Sequence, residues 1–446
     1  MAKSDGSTLT ARDNLLYGAG SLALNLYGLI VLAWVLTLYQ GNTDLGLPRL
    51  VPAALFAAIF AAGRVFDAII DPLVGFASDR VRSRWGRRKP LIVAGLLPQA
   101  VCFCLLWHPP RMAESGANGW YLLAVLCGFF ASFAVVFAPY LAMMPELSRT
   151  DHERNTLATT QAVYGIVGTL IGAFYGLLIQ HLSGGSKDPT VGGFQRAAVV
   201  VAVIGFCSGF LPLLTRRKPL VTEDNETHVG LVAGLRATWA NRAFRHYIGA
   251  FLLFWVALQL VLAAMPQLPI ARLGATPAQN GLWASLLQAS ALLGGAACFP
   301  LLMRLMERRG RAYAWTFAMT WFAVIVPLLA LPRSLPTMIV LLLAAGPAVA
   351  GLMILPHALL ADICDYDARL TGQRREALFY GVQGTFTKAA MAGAVVLASA
   401  LLDQLGNTVS RPWGLVACPL VAAVATLLSL VCFRGYERAL REVREG

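Results

Sequence analysis

The chain has 446 residues, a mean hydropathy of +0.64 and only 13% charged residues, whereas soluble domains average roughly 25%. Hydrophobic residues make up 57% of it, so the composition excludes an ordinary soluble domain and indicates a membrane protein. The formal net charge of +13 is divided among short loops, which argues against a nucleic-acid-binding face.

Twelve apolar stretches are long enough for a helix to cross the hydrocarbon core, which takes about 20 residues. In chain order they are 15–40, 50–76, 90–108, 119–146, 157–182, 196–214, 246–266, 279–307, 312–331, 335–361, 377–402 and 412–433. The strands of a membrane β-barrel would instead be segments of about ten residues in which apolar and polar residues alternate. The sequence therefore predicts an all-α polytopic membrane protein with twelve transmembrane helices.

Lys and Arg are concentrated in alternate connections and in the C-terminal tail, as in RVRSRWGRRK at 80–89 and MERRGR at 306–311. The positive-inside rule makes these connections cytoplasmic, which places both termini inside. The N-terminal segment has no apolar region followed by a cleavage site, so no signal peptide is predicted. We expect a multi-pass protein of the plasma membrane, in bacteria the inner membrane.

Two pairs of similar segments relate the halves of the chain. SDRVRSRWGRRKP follows the second stretch and MRLMERRGRAY the eighth, while PELSRTDHERNTLATTQAVYG follows the fourth and LADICDYDARLTGQRREALFYG the tenth. The repeat predicts an N-terminal six-helix bundle at 1–214 and a C-terminal bundle with a short tail at 246–446. A cytoplasmic linker at 215–245 joins them, and the substrate path is expected near the bilayer midplane.

Three ionisable residues lie inside the second apolar stretch, in GRVFDAIIDP at 63–72. Arg64, Asp67 and Asp71 are three, four and seven residues apart and so share one helix face. Ionisable groups in membranes usually face a bundle interior and mark ion or proton pathways. Two carboxylates one turn apart repel when both are ionised, so the pair is a candidate cation switch. The alternative is a static ion pair with Arg64 that only holds helices together.

Lys388 is the other isolated charge, in VQGTFTKAAMAG. Opposite buried charges tend to pair, so Asp67 or Asp71 is its expected partner. The alternative is that Lys388 snorkels to the cytoplasmic edge, over a reach of about ten residues. No nucleophile constellation and no phosphate-binding loop stands out, so the sequence predicts no enzyme and no ATP-driven pump.

RVFDAIIDPLVGFASDRVRSRWGRRKP, FAPYLAMMPELSRTDHER and LPHALLADICDYDARLTGQRREALFYGVQGTFTK resemble the glycoside-pentoside-hexuronide:cation symporters of the major facilitator superfamily. The resemblance covers most of the chain. It implies the major facilitator fold, with two pseudo-symmetric halves and alternating access. It also implies that Asp67 and Asp71 bind the coupling cation, Na⁺, Li⁺ or H⁺, and that Lys388 lies near the cation and substrate sites.

The substrate positions implied by the resemblance depart from the pattern of a sugar-carrying member. Asn25 and Phe137 stand in place of aspartates, Gln161 replaces an arginine, and Met353 replaces a tryptophan. Ala134 replaces a cation-site threonine, which keeps H⁺ coupling open. The candidate substrate-binding residues are Asn25, Arg64, Phe137, Tyr140, Gln161, Met353, Tyr380, Gln383 and Lys388. Each polar member taken alone is also explained by hydrogen bonding between packed membrane helices.

The basic loops resemble the family's cytoplasmic gate, where ion pairs form in one alternating-access state and part in the other. The candidate gate residues are Asp79, Arg80, Arg84, Arg87, Arg88, Arg154, Asp362, Asp365 and Arg375, with Glu146 as a further partner. The alternative is that the arginines only follow the positive-inside rule, an explanation that does not extend to Asp79.

The function predicted on this basis is symport of a sugar, glycoside or related small organic solute with Na⁺ or H⁺. Symport of an amphiphilic solute such as a lysolipid is the second interpretation, since Phe137 and Met353 make the pocket less polar. A membrane scaffold or receptor is the third, and the paired carboxylates argue against it. The expected partners are a small-molecule substrate and the lipid bilayer, with no nucleic acid, no cofactor beyond the cation, and a functional monomer.

Overall fold

A computed structural model describes residues 9–81, 83, 85–184, 190–217, 238–371 and 376–444. In the first half the helices are α1 (Ala11–Gln40), α2 (Ala53–Arg80), α3 (Lys89–Leu105), α4 (Gly116–Leu147), α5 (Asp151–Ala173), α6 (Tyr175–His181) and α7 (Val191–Phe210). In the second half they are α8 (Arg242–Ala264), α9 (Leu268–Arg272), α10 (Pro277–Arg309), α11 (Arg311–Leu328), α12 (Leu335–Ala344), α13 (Gly346–Thr371), α14 (Glu376–Leu405) and α15 (Trp413–Arg444).

All twelve predicted stretches coincide with helices, and the described residues contain no β-strand. Ten helical segments in this part of the chain are long and apolar enough to cross a membrane. The prediction of an all-helical membrane protein is confirmed. Two stretches are broken where one continuous helix was expected, between α5 and α6 at Phe174 and between α12 and α13 at Ala345. At the second break Gly346 precedes Pro347. A proline disfavours helical geometry at the residue before it.

The chain divides into two compact units, Met1–Gly41 with Gly46–Asn225, and Asn42–Leu45 with Glu226–Gly446. In the first unit α1 packs on α5 and α7, α2 on α4, and α3 on α4 and α7. In the second α8 packs on α14 and α15, α10 on α13, and α11 on α13 and α15. The same five pairings therefore occur in both units, as expected of repeated six-helix halves. The predicted linker stays a prediction, since 218–237 lies outside the described residues.

Close helix contacts in both units depend on glycine. A methyl group at Gly168 of α5 would lie 2.3 Å from the carbonyl oxygen of Leu22 in α1. In the second unit a methyl group at Gly346 would lie 2.2 Å from the carbonyl oxygen of Gly294 in α10. Small residues let membrane helices approach closely enough for van der Waals packing, because lipid supplies no hydrophobic drive between helices. These glycines set the spacing on which the interior side chains depend.

We predict that Gly168→Ala destabilises the protein and that Gly28→Ala does not. The added methyl group at Gly168 meets backbone, which cannot turn away, and overpacking of this kind costs about 1–3 kcal/mol. A methyl group at Gly28 meets nothing within 4 Å, so the gain in helix propensity should prevail. Thermal unfolding in detergent measures both variants. Equal melting temperatures would show that α1 and α5 can separate without cost.

Candidate functional site

The charged residues of α2 form an ion pair inside the first unit. Nη1 of Arg64 lies 3.3 Å from Oδ2 of Asp67. Only 8% of Arg64 and 4% of Asp67 are exposed, and Asp71, one turn further along the helix, is half-buried. The structure therefore brings Arg64 and Asp67 together, as their spacing in the sequence predicts. Whether the pair is static or opens for a cation stays a prediction.

Aromatic rings hold the other faces of the Arg64 guanidinium. Its central carbon lies 4.6 Å from the ring centre of Phe130 on α4 and 5.5 Å from that of Phe60 on α2. Contacts of this kind stabilise a cation where water is absent. Nε of Arg64 has no hydrogen-bond partner among the described residues. The contact to Asp67 is also longer than the roughly 2.7–2.9 Å of a strong charged pair. Arg64 is thus held by the carboxylate of Asp67 and by two aromatic rings.

The candidate substrate residues of α4 lie in an aromatic cluster. Phe137 is buried, with its ring centre 4.4 Å from that of Phe133 and 6.2 Å from that of Tyr140. Tyr140 in turn stacks on Tyr17 of α1 at 5.0 Å. Tyr17 was not among the predicted residues. The small residues that follow it in YGAG at 17–20 could have indicated a close approach of another helix. A methyl group at Gly20 would lie 2.5 Å from the Tyr140 ring, so glycine is what admits that ring.

The polar candidates of α1 and α5 bond mainly to neighbouring helix groups. The Asn25 side chain donates to the carbonyl oxygen of Ser21 at 2.8 Å and to its hydroxyl at 3.2 Å. A methyl group at Gly165 of α5 would lie 2.9 Å from the Asn25 amide nitrogen. Asn25 thus fills the contact between α1 and α5, which agrees with a packing role. Gln161 is half-buried on α5.

The second unit holds the remaining substrate candidates on α13 and α14. Met353 and Tyr380 are 47% and 39% exposed, and the Tyr380 hydroxyl donates to the carbonyl oxygen of His357 at 3.3 Å. The buried Gln383 accepts a hydrogen bond of 3.1 Å from Tyr247 of α8, a residue that the sequence analysis missed. Lys388 is half-buried, and its pairing with Asp67 or Asp71 stays a prediction.

Ion pairs lie at the same position of the repeat in both units. Arg87 and Arg88, at the start of α3, lie 3.2 and 2.9 Å from Oε1 of Glu146 near the end of α4. Arg311, at the start of α11, lies 2.5 Å from Oδ1 of Asp362 on α13. These contacts agree with the expected chemistry of Arg87, Arg88 and Asp362. Arg311 was missed, although MERRGR was recognised as the repeat of the first basic loop.

The other predicted gate residues form no such cluster in the part of the chain that the structure describes. Arg154 and Asp365 are exposed. Arg84 and Arg375 lie outside the described residues. Asp79 and Arg80 belong to α2, but their side chains are not among those described. Their participation in a gate stays a prediction.

One further ion pair in the first unit, between Arg217 and Glu153, was not predicted. The Glu153 carboxylate accepts hydrogen bonds of 3.0 Å at both oxygens from Nη2 of Arg217. It also accepts from the backbone N–H groups of Leu9, at 3.0 Å, and Arg149, at 2.8 Å. Thr150 and Glu153 have the spacing of a helix-capping box, which was a usable signal. The contacts join the segment before α1 and the segment after α7 to the start of α5.

A family model described as MFS/sugar transport protein matches residues 16–431 of the chain. The chain belongs to this family. It is therefore a multi-pass membrane protein of a transporter family, and the resemblance to cation symporters of the major facilitator superfamily is confirmed.

The relatives include symporters from several kinds of organism. An uncharacterized symporter of Synechocystis is 25% identical over 80% of this chain and 80% of its own. The inner membrane symporter YicJ of Escherichia coli is 22% identical over 95% of this chain and 90% of its own. A sodium-dependent lysophosphatidylcholine symporter of Danio rerio is 25% identical over 78% of this chain and 71% of its own. The coarse function shared by these names is symport.

Among solved structures, a crystal structure of the nucleoside transporter NupG, as a D323A mutant, aligns with a TM-score of 0.69. The alignment covers 95% of this chain and 99% of that one at 12% sequence identity. A likeness at this identity bears on the fold alone. It confirms the predicted major facilitator fold.

We predict that Glu153→Gln lowers the melting temperature of the protein. The change removes the charge that satisfies Arg217, whose side chain is only 3% exposed. A hydrogen bond to a charged group contributes about 2 kcal/mol. Glu307→Gln is the matched control, because Glu307 is exposed on α10. If both variants melt at the wild-type temperature, the Glu153 cluster does not stabilise the first unit.

Proposed function

We propose that the protein is a secondary active transporter that couples Na⁺ or H⁺ to the uptake of a sugar, glycoside or related small organic solute by alternating access. It acts as a monomer in the bacterial inner membrane, with both termini cytoplasmic and no cofactor beyond the coupling cation. The observation that carries the proposal is the buried pair of Arg64 and Asp67 on α2, with Asp71 one turn further on.

Three ionisable side chains on one membrane helix cost free energy of folding, so their presence indicates a function. Ionisable side chains are rare in membrane spans and mark ion or proton pathways. Asp67 and Asp71 place two carboxylates beside the guanidinium of Arg64 on α2, and we propose that the cation binds between these carboxylates and relieves their mutual repulsion. Binding of the cation then lets the substrate site form and lets the two halves rock. Arg64 supports the empty state by holding one carboxylate while no cation is bound.

The choice of cation follows from the groups that can join Asp67 and Asp71. The relative from Danio rerio is named sodium-dependent, which supports Na⁺ with both carboxylates as ligands. Ala134 and Phe137 supply no side-chain oxygen, and Phe137 is packed among aromatic rings. A proton needs no such ligand shell. H⁺ is therefore the second candidate, at the same two carboxylates.

The substrate class has two candidates. The description of the family model names sugar transport, which supports a saccharide or glycoside. Phe137 stands where the resemblance places an acidic group that binds sugar hydroxyls, and it lies in an aromatic cluster with Tyr140 and Tyr17. Met353, in place of a tryptophan, is exposed. This apolar character supports an amphiphilic solute, as in the lysophosphatidylcholine symporter of Danio rerio.

We also propose that the repeated ion pairs belong to a cytoplasmic gate. Glu146 with Arg87 and Arg88, and Arg311 with Asp362, lie at matching positions of the two units. The pair of Arg311 and Asp362 is partly exposed, and exposed pairs exchange partners at low cost because they contribute little stability. Glu146 is buried and has two arginine partners, so it can lose one of them and keep the other. These ion pairs are suited to forming in one state of the transporter and parting in the other.

We predict that Asp67→Asn and Asp71→Asn abolish concentrative uptake in proteoliposomes and retain downhill exchange. Each change removes a charge that the cation must neutralise. A thermal-stability screen with and without Na⁺ identifies the solute, since ligands that bind the folded state raise its melting temperature. Imposed Na⁺ and pH gradients then identify the cation.

Glu114→Gln is the matched control for both aspartate variants, because it makes the same change of charge at an exposed loop position. It should accumulate solute like the wild type. Full accumulation by Asp67→Asn or Asp71→Asn would refute the assignment of that residue to cation coupling.

A further inference from the structure

Two arginines of the second unit come from connections that otherwise contain no basic residue. Arg272 ends α9, in the connection between α8 and α10, and Arg333 lies in the connection between α11 and α12. In the topology proposed above, both connections face away from the cytoplasm, where Lys and Arg are depleted. The charge distribution that orients the chain therefore explains neither arginine.

A hydrogen bond joins these two connections. Nη2 of Arg272 donates to the carbonyl oxygen of Ala330 at 2.7 Å, and Arg333 follows Ala330 by three residues. Burial lowers the pKa of Arg272, and the nearby charge of Arg333 lowers it further. Neither side chain bonds a carboxylate among the described residues. The two arginines thus place like charges near each other without an acidic partner from the described part of the chain.

Apolar side chains flank this pair of arginines. Leu268, one helical turn before Arg272, lines a small cavity together with Leu329 and Met338, and the other residues around that cavity are also apolar. In the connection that holds Arg333, Leu331 is 68% exposed. Cationic side chains with apolar neighbours are typical of the boundary between hydrocarbon and water, where the charge reaches the lipid headgroups. These surroundings favour an amphiphilic ligand over a free inorganic ion.

The start of α12 adds to the positive potential beside Arg333. The helix begins at Leu335, with Ser334 at its N-cap position. The first turn of a helix carries a partial positive charge, which is favourable for an anion. The Ser334 hydroxyl lies 2.8 Å from the hydroxyl of Thr337, so neither of these groups offsets the charge. The helix end strengthens the attraction that the two arginines create.

We propose that Arg272 and Arg333 bind the phosphate group of an anionic phospholipid of the surrounding bilayer. Guanidinium groups bind phosphate oxygens through paired, charge-assisted hydrogen bonds. The exposed Leu331 then contacts the acyl chains. A bound anion also removes the repulsion between the two connections, so the lipid stabilises the second unit. The lipid is a bound partner and not the transported solute, so the inference goes beyond the proposed transport function.

The test measures ligand binding by the full-length protein, purified in detergent and stripped of lipid. The probes are phosphatidylglycerol, phosphatidylcholine, diacylglycerol and inorganic phosphate, each at the same concentrations. Phosphatidylcholine keeps the phosphate but has no net charge, whereas diacylglycerol keeps the acyl chains and has no phosphate. Native mass spectrometry measures lipid affinity, and thermal unfolding measures stabilisation, because ligands that bind the folded state raise its melting temperature.

Arg333→Gln is the decisive variant. Arg333 is exposed and its side chain forms no hydrogen bond with the described residues, so its loss should leave the lipid-free melting temperature unchanged. Arg272→Gln also removes the bond to Ala330 and should lower that temperature. Arg411→Gln is the matched control, because it makes the same change of charge at an exposed position of the connection between α14 and α15.

We expect phosphatidylglycerol to raise the melting temperature of the wild type and of Arg411→Gln by the same amount. Arg333→Gln and Arg272→Gln should bind it about tenfold more weakly, as the loss of one charge-assisted hydrogen bond implies. Phosphatidylcholine should bind the wild type more weakly than phosphatidylglycerol does. Diacylglycerol and inorganic phosphate should not stabilise any of the proteins.

Wild-type affinity of Arg333→Gln for phosphatidylglycerol would overturn the inference, and so would equal weakening in Arg411→Gln. Equal binding of diacylglycerol would show that acyl chains suffice without the phosphate. Equal stabilisation by inorganic phosphate would contradict the lipid as the source of the anion. Equal binding of phosphatidylcholine would contradict selection by net charge. These outcomes leave cation-coupled transport untouched, since the aspartate variants test it separately.

Discussion

The contact between Arg64 and Asp67 puts opposite charges on a helix whose other residues are almost all apolar, and the first unit is arranged around it. Phe60 and Phe130 close over the guanidinium, so the ring faces add to the stabilisation that the Asp67 carboxylate provides. The close approach of α2 and α4 that this requires is made at Gly63, where a methyl group would lie 2.6 Å from Leu126. The contact between Arg64 and Asp67 is long for a charged pair, and separating it would leave a buried charge uncompensated. Asp67 can therefore change partner only where another cation takes the place of Arg64.

The repeated architecture explains how such a pair can be tolerated. The same five helix pairings recur in each unit, and ion pairs recur where α4 meets α3 and where α13 meets α11. These pairs join helix ends in each unit; Glu146 is buried, whereas Arg311 and Asp362 are partly exposed. Glycine-mediated contacts hold helices close together in both units, and the Glu153 cluster joins helix ends in the first. The buried pair of α2 therefore lies in a scaffold that many other contacts also support.

Much of the fold could be predicted because hydropathy and loop charge act locally. Contacts of the site were predictable where the signal lay within one helix, as with Arg64 and Asp67, or in loops that resemble the family's gate, as with Arg88 and Glu146. Tyr17, Tyr247 and Arg217 were missed because each acquires its contact from a distant segment: Tyr140, Gln383 and Glu153, respectively. The sequence around a tyrosine in an apolar stretch is the same whether the side chain packs against another helix or binds a ligand. The break before α13 was not predicted for a different reason. Hydropathy alone does not distinguish one long helix from two shorter ones, although Gly346 and Pro347 lie within the apolar stretch 335–361.

Both units bury amides and aromatic rings, and several buried polar groups depend on a partner from another segment. In the first unit Asn118 donates to the carbonyl oxygen of Leu50. In the second unit Asn280 donates to the carbonyl oxygen of Pro266, and Gln383 accepts from Tyr247. Polar groups in a membrane interior must find such partners within the protein, because lipid supplies none. The charged pair of α2 follows the same rule with a larger cost at stake, so the rings of Phe60 and Phe130 that cover its guanidinium are part of what makes its burial possible.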